Sequence, residues 1–208
     1  MFTFVKRIIK RIFNKRILGS ANEVELRSSL PPSSYIYVQG NNNRIIVGKH
    51  CILENLQISI TGNNCILTLE EHVTIRAGKI IIHGNSAKVI ISKETTIREA
   101  QIISIEDNSS VFIGEDCMFS YGIIMRTSDS HSILNAENER INKAKSIKIG
   151  NHVWLAQNIT VLKGTTIGDN SVIGYGSICT GNIPANVVAV GTPARVVKES
   201  INWSRDLL

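Results

Sequence analysis

The chain has 208 residues, 43% hydrophobic and only 5% aromatic, with 23 Lys and Arg against 17 Asp and Glu. That length allows one domain with a sizeable core. Lys6, Arg7, Lys10, Arg11, Lys15 and Arg16 account for the whole +6 excess, so the remaining chain is charge-balanced and offers no nucleic-acid groove. No run reaches the roughly 18 apolar residues that a membrane span needs. Cys51, Cys65, Cys117 and Cys179 lack the paired spacing of zinc or redox sites and read as buried free thiols in a reducing cytoplasm. No metal ligand set is expected.

Residues 2–18, FTFVKRIIKRIFNKRIL, have the pattern of an amphipathic helix. Val5, Ile8, Ile9 and Ile12 share one face and Lys6, Arg7, Lys10 and Arg11 the other. Two readings stay open: a helix packed on its own oligomer, or an interfacial helix held by anionic lipid at the inner face of the membrane. The basic stretch lacks the apolar core and cleavage site of a secretory signal. Residues 19–34, with Pro31-Pro32 and several Ser, read as a linker, so 1–34 form the first segment.

A 22-residue period starts at Tyr35. Gly40-Asn41, Gly62-Asn63 and Gly84-Asn85 recur at that interval, with Glu106-Asp107 next in line. Val47, Leu69, Ile91 and Ile113 follow it, as do Leu53, Ile75, Ile97 and Phe119, and Ile58, Ile80, Ile102 and Ile124. Each unit reads as one rung of three short strands, with a four-residue extension at a Gly-Asn corner that tolerates positive φ. His50 and His72, 22 apart, should stack at one corner, with His83 and His152 elsewhere. The register breaks once: Val111-Phe-Ile113-Gly returns as Ile147-Lys-Ile149-Gly after 36 residues. The extra residues lie in the polar, aperiodic stretch Met125 to Ser146, which should protrude as a loop over 126–146 and carries His131.

From Ile149 to Pro184 the period tightens to six: IGNHVW, LAQNIT, VLKGTT, IGDNSV, IGYGSI, CTGNIP. Ile149, Leu155, Val161, Ile167, Ile173 and Cys179 fill the first column, and the fifth is small or β-branched. Neither a helix nor a half-buried strand explains this period, whereas a coil with three flat strands per turn does. The expected fold is therefore all-β, a parallel β-helix over 35–190, closed by a short C-terminal capping segment over 191–208.

The hexads, with their continuation through GTPARVVKE, resemble the hexapeptide-repeat acyltransferases, and within them the galactoside, maltose and surface-polysaccharide O-acetyltransferases. The resemblance implies a left-handed coil, a homotrimer, and acetyl-CoA as co-substrate, with the acetyl group passing to a sugar or glycan hydroxyl, in the cytoplasm. It implies that His131, in TSDSHS, is the general base, since an imidazole combines proton affinity with a large unprotonated fraction near neutrality. Asp129, Glu137 and Glu139 are candidates to orient it. Trp154 sits in an outward column; the resemblance implies that it lines the acceptor or thioester end of the site, and packing on a neighbouring subunit is the alternative. Carried over motif by motif, the donor positions are Ala156, Gln157, Gly174, Tyr175, Thr180, Arg195 and Lys198. Tyr175 stands where relatives usually have a small residue and Gly181 where they often have Lys, which weakens the carry-over of the 3′-phosphate clamp. N-acylation of a nucleotide-activated amino sugar and a non-catalytic scaffold are the alternatives.

Overall fold

The computed structural model describes residues 14–208. The chain coils into three sheets of eight strands each. Face A runs from Lys15–Leu18 to Ile178–Cys179, face B from Glu23–Leu26 to Asn182–Ile183, and face C from Ile52–Leu53 to Ala194–Lys198. All pairings between successive rungs are parallel; only Ala194–Lys198 turns back antiparallel, on Val188–Gly191. No helix occurs among the described residues, and therefore none long and apolar enough to cross a membrane.

Each strand sends alternate residues inward, so stacking rungs in register produces continuous apolar columns. On face A, Ile36, Ile58, Ile80, Ile102, Met125, Val161 and Cys179 form one column, all essentially buried. On face C, Leu53, Ile75, Ile97, Phe119, Leu155, Ile173 and Ala189 form another. Each Ile, Leu, Val, Met or Phe among them, withdrawn fully from water, contributes roughly 1.5–3 kcal/mol. The thiols belong to the same core: all four cysteines are free and buried, and burial pushes Cys117 and Cys179 up to about 12. Hydroxyls of the fifth hexad column close corner carbonyls, Thr165 Oγ1 donating to Cys179 O at 3.0 Å and Ser171 Oγ to Pro184 O at 2.9 Å.

Four sequence expectations change, and the C-terminal capping segment takes a definite form. Residues 15–18 are not the end of a helix but a strand paired with Tyr35–Gln39, while residues 1–13 lie outside the described residues. The linker over 19–34 contains the strand Glu23–Leu26, so the coil begins one rung before Tyr35. That extra rung occupies hydrogen-bonding groups that would otherwise be an open strand edge. Ile102 pairs with Met125 rather than Ile124, because the corner after Phe119 holds one more residue. His152 shares a corner column with His50 and His72, all at positive φ, although the 36-residue step hides the relation. The C-terminal segment is a hairpin followed by a strap, in which the Ile201 amide bonds Asn186 O, Trp203 packs on His152 and Arg205 reaches Asp116.

The A-to-B corners show why glycine is required. Gly40, Gly62 and Gly84 have φ of 131°, 145° and 138°. A Cβ on Gly62 would lie 1.9 Å from the Gly84 carbonyl oxygen. The asparagines beside them form a ladder in which each amide donates to the next side chain, Asn41 to Asn63 at 2.9 Å and Asn63 to Asn85 at 3.1 Å. Gly62→Ala should therefore destabilise the fold by about 3 kcal/mol or more, from a φ region nearly exclusive to glycine plus a backbone clash. Gly176→Ala, at φ 69° with nothing within 4 Å, should cost only about 1–2 kcal/mol. Urea titration of both variants checks the contrast.

Candidate active site

The protruding loop leaves the coil at the A-to-B corner, between Ile123–Arg126 and Ile147–Ile149. The Gly-Asn line stops one rung earlier, at Glu106, and the substitution has a structural reason. The Glu106 carboxylate accepts two hydrogen bonds from Arg140, at 2.8 and 2.5 Å, and another from Ser128 Oγ. These donors, Arg140 first and Ser128 second, pull its pKa from the ordinary value near 4.5 to about 2. Glu106 thus ties both feet of the loop to the rung beneath it.

Inside the loop, buried Asn142 is the hub. Its Nδ2 donates to Asp129 Oδ2 and to the His131 carbonyl, both at 2.8 Å, and its Oδ1 accepts from the Ile133 amide at 2.8 Å. Lys163, from the next rung, donates to Asn142 O at 2.8 Å and forms an ion pair with Asp129. That contact, with the Asn142 bond, holds the Asp129 carboxyl below its usual range. The backbone of His131 is therefore fixed while its side chain stands exposed. None of the three candidate acids hydrogen-bonds the imidazole. Asp129 is committed to Lys163 and Asn142, Glu139 accepts from Asn135 Nδ2, and Glu137 contributes only its amide, to Asn135. Beside the histidine, Ile133, Leu134 and Ile141 are more than half exposed.

Trp154 lies elsewhere, on face C, paired with Met118 below and Val172 above. Its indole tilts against Trp203 of the strap, with ring centroids 5.9 Å apart. Trp203 in turn stacks on His152 at 4.1 Å and donates its indole N–H to His152 O. His152 Nδ1 sits 2.6 Å from Asp116, which also accepts from Arg205. Burial alone would raise the Asp116 pKa, but the bonds from His152 and Arg205 bring it below its usual value. Among the described residues no hydrogen bond or ring contact joins His131 to Trp154; the loop springs from the A-to-B corner and the indole from face C.

The other carried-over positions fall into three groups. Ala156 and Gln157 stack under Gly174 and Tyr175 at the C-to-A corner, where the Gly176 amide donates to Gln157 O and Asn158 Nδ2 to the Tyr175 hydroxyl. Thr180 lies at the following A-to-B corner, after Ile178–Cys179. Arg195 and Lys198 are on the terminal hairpin. Three apart on a strand they should face opposite ways, but a bulge pairs Arg195 with Val190 and Lys198 with Val188, which puts both on one face. Among the described residues no group of three or more His, Cys, Asp or Glu could hold a metal. Asn142, Lys163, Arg140 and Glu106 were not marked by any motif; the one signal was Glu106 standing in a glycine position.

Comparison with known proteins bears on the fold and the family. The family model "Bacterial transferase hexapeptide (six repeats)" matches residues 146–181. The chain is 58% identical to galactoside O-acetyltransferase of Escherichia coli strain K12 over 53 residues, a match that spans only 26% of each chain. The crystallised polysialic acid O-acetyltransferase OatWY is 34% identical, with 93% of this chain and 92% of that one covered and a TM-score of 0.88. The polySia-specific acetyltransferase NeuO is 33% identical over 93% and 89%, with a TM-score of 0.81. The chain belongs to the hexapeptide-repeat acyltransferase family.

The Glu106 anchor has a defined pH window. Its contribution is complete above about pH 4.5 and is lost as pH falls toward 2. Amide exchange across 128–142, corrected for intrinsic rates, should accelerate through that window. Glu106→Gln should show the faster exchange already at neutral pH.

Proposed function

We propose that the protein is an acetyl-CoA-dependent O-acetyltransferase acting on a hydroxyl of a bacterial surface polysaccharide or its precursor. The observation that carries this reading is the near-full-length likeness to two polysialic acid O-acetyltransferases. His131 serves as general base: its free ring nitrogen takes the proton of the acceptor hydroxyl as that oxygen bonds to the thioester carbonyl carbon. The proton then passes to the departing CoA thiolate, giving an acetyl ester and CoA-SH. Proton transfer of this kind contributes roughly 10²–10⁴-fold.

The working unit is a trimer, with a left-handed coil as the resemblance implies. Two features favour assembly: His131 and Trp154 are carried by different elements, the A-to-B corner loop and face C, and that loop also carries exposed Ile133, Leu134 and Ile141. Seating that loop on a neighbouring copy would cover apolar surface and place the base at a subunit boundary. The donor arm lies along Ala156, Gln157, Gly174 and Tyr175, with Thr180 one corner on and Arg195 and Lys198 near the phosphates. The first corner is open to such a ligand: Tyr175 is 69% exposed and a Cβ on Gly176 would meet nothing within 4 Å. Lys6, Arg7, Lys10 and Arg11 supply a peripheral contact with anionic lipid on the cytoplasmic side, where acetyl-CoA is made.

His131→Ala should lower acetyl transfer by about 10²–10⁴-fold while acetyl-CoA still raises the melting temperature. Turnover close to wild type would exclude the base role. Sedimentation should give three chains per particle, and Ile133→Asp with Ile141→Asp should shift it toward monomer.

A further inference from the structure

Face C carries a groove of about 540 Å³ on the N-terminal side of Trp154. Trp154, Tyr121 and Met118 form its apolar part, and Arg76, Arg98 and Arg205 its charged part. The lining includes no Asp or Glu. Three guanidiniums in one recess are notable because basic and acidic residues balance outside the six N-terminal cations.

The three arginines are not equivalent. Glu54, Arg76, Arg98 and Ser120 occupy the same corner on successive rungs, each amide bonding the carbonyl one rung on. Arg76 is paired with Glu54 at 2.7 Å. Arg205 is held by Asp116 and by Thr96 Oγ1, both at 2.9 Å, so the strap uses it as a fastener. Arg98 is exposed and makes no ion pair among the described residues; its sequence neighbour Glu99 does not reach it. Its charge is left for a ligand.

Direction along the coil says which ligand. The donor positions Ala156, Gln157, Gly174 and Tyr175 follow Trp154 toward the C-terminal rungs, whereas the groove extends the other way, over the strands Thr96–Ile97 and Met118–Phe119. Anionic groups of a donor would meet Arg195 and Lys198 at the opposite end. An aromatic wall beside a free guanidinium suits a sugar ring that bears a carboxylate, since the ring packs on the indole and the planar fork takes both carboxylate oxygens. We propose that this groove is the acceptor subsite for an acidic sugar residue, with Arg98 as the carboxylate anchor and Trp154 as the platform. The inference rests on the O-acetyltransferase reading for calling the ligand an acceptor.

The test is binding, read without turnover. The protein's two tryptophans, Trp154 in the groove and Trp203 against it, report occupancy by fluorescence of the full chain. A sialic acid oligomer and its carboxyl-reduced, neutral counterpart are titrated into wild type, Arg98→Gln and Arg98→Lys. The acidic oligomer should bind wild type, lose about tenfold or more in Arg98→Gln, as expected for a charge-assisted hydrogen bond, and regain part of it in Arg98→Lys. The neutral oligomer should bind weakly and ignore the substitution, and CoA affinity should be equal in all three proteins. Equal binding of both oligomers, or none of either, would overturn the proposal. So would a loss of CoA affinity in Arg98→Gln, which would assign the groove to donor phosphates. Should the acidic oligomer bind through Arg98 but never be acetylated, the groove stands as an acidic-sugar site while the transferase reading, and with it the name acceptor, fails; the two are thereby separable.

Discussion

Register between rungs is the constraint on which everything else in this molecule depends. A rung of three short strands encloses too little interior to be stable alone, so each inward Ile, Val or Leu depends on equivalent residues above and below to complete its burial. The same stacking satisfies the backbone, since strand and corner amides bond carbonyls of an adjacent rung. A shift by one residue would turn an inward column outward, which is why the additional residue before Ile123 is absorbed at a corner and not within a strand. Corners are thus where the chain can vary, and the protruding loop leaves the coil at one of them.

The protruding loop shows how an irregular segment is kept in place on so regular a scaffold. It cannot borrow column packing, so it is fastened by charge and hydrogen bonds. Glu106 grips Ser128 and Arg140 from below, Lys163 grips Asp129 and the Asn142 carbonyl from above, and Asn142 links the two limbs. The side chain of His131 is left out of this network. The backbone is anchored through the Asn142 bond to the His131 carbonyl while the ring stays uncommitted, the arrangement that the proposed role of general base requires. The strap at the other end of the chain uses the same means, with Trp203 on His152 and Arg205 on Asp116 fastening it down a column of corners.

Much of this was legible in the residues. The 22- and six-residue periods foretold the rungs, and pairing follows them along the columns of faces B and C. The 36-residue step located the loop, because Val111 does pair with Ile147. The stretch before Tyr35 was misread because Lys15, Arg16, Ile17 and Leu18 continue a helical pattern in sequence, while the edge of the coil recruits them as a strand. His152 was separated from His50 and His72 by the length of the loop, although all three occupy the same corner.

What the sequence by itself determined was the columns: a repeat that places an apolar residue inward at each fixed step has one economical way to bury them, and local geometry at Gly and Asn corners follows. What only the tertiary structure decided was which distant groups meet. The partnership of Glu106 with Arg140, of Lys163 with Asp129, of Arg205 with Asp116, and the one-sided placement of Arg195 and Lys198 by a bulge all join residues that share no period. Periodicity encodes contacts between equivalent positions. Contacts between inequivalent ones depend on where loop and strap come to lie in three dimensions, and no spacing along the chain records that.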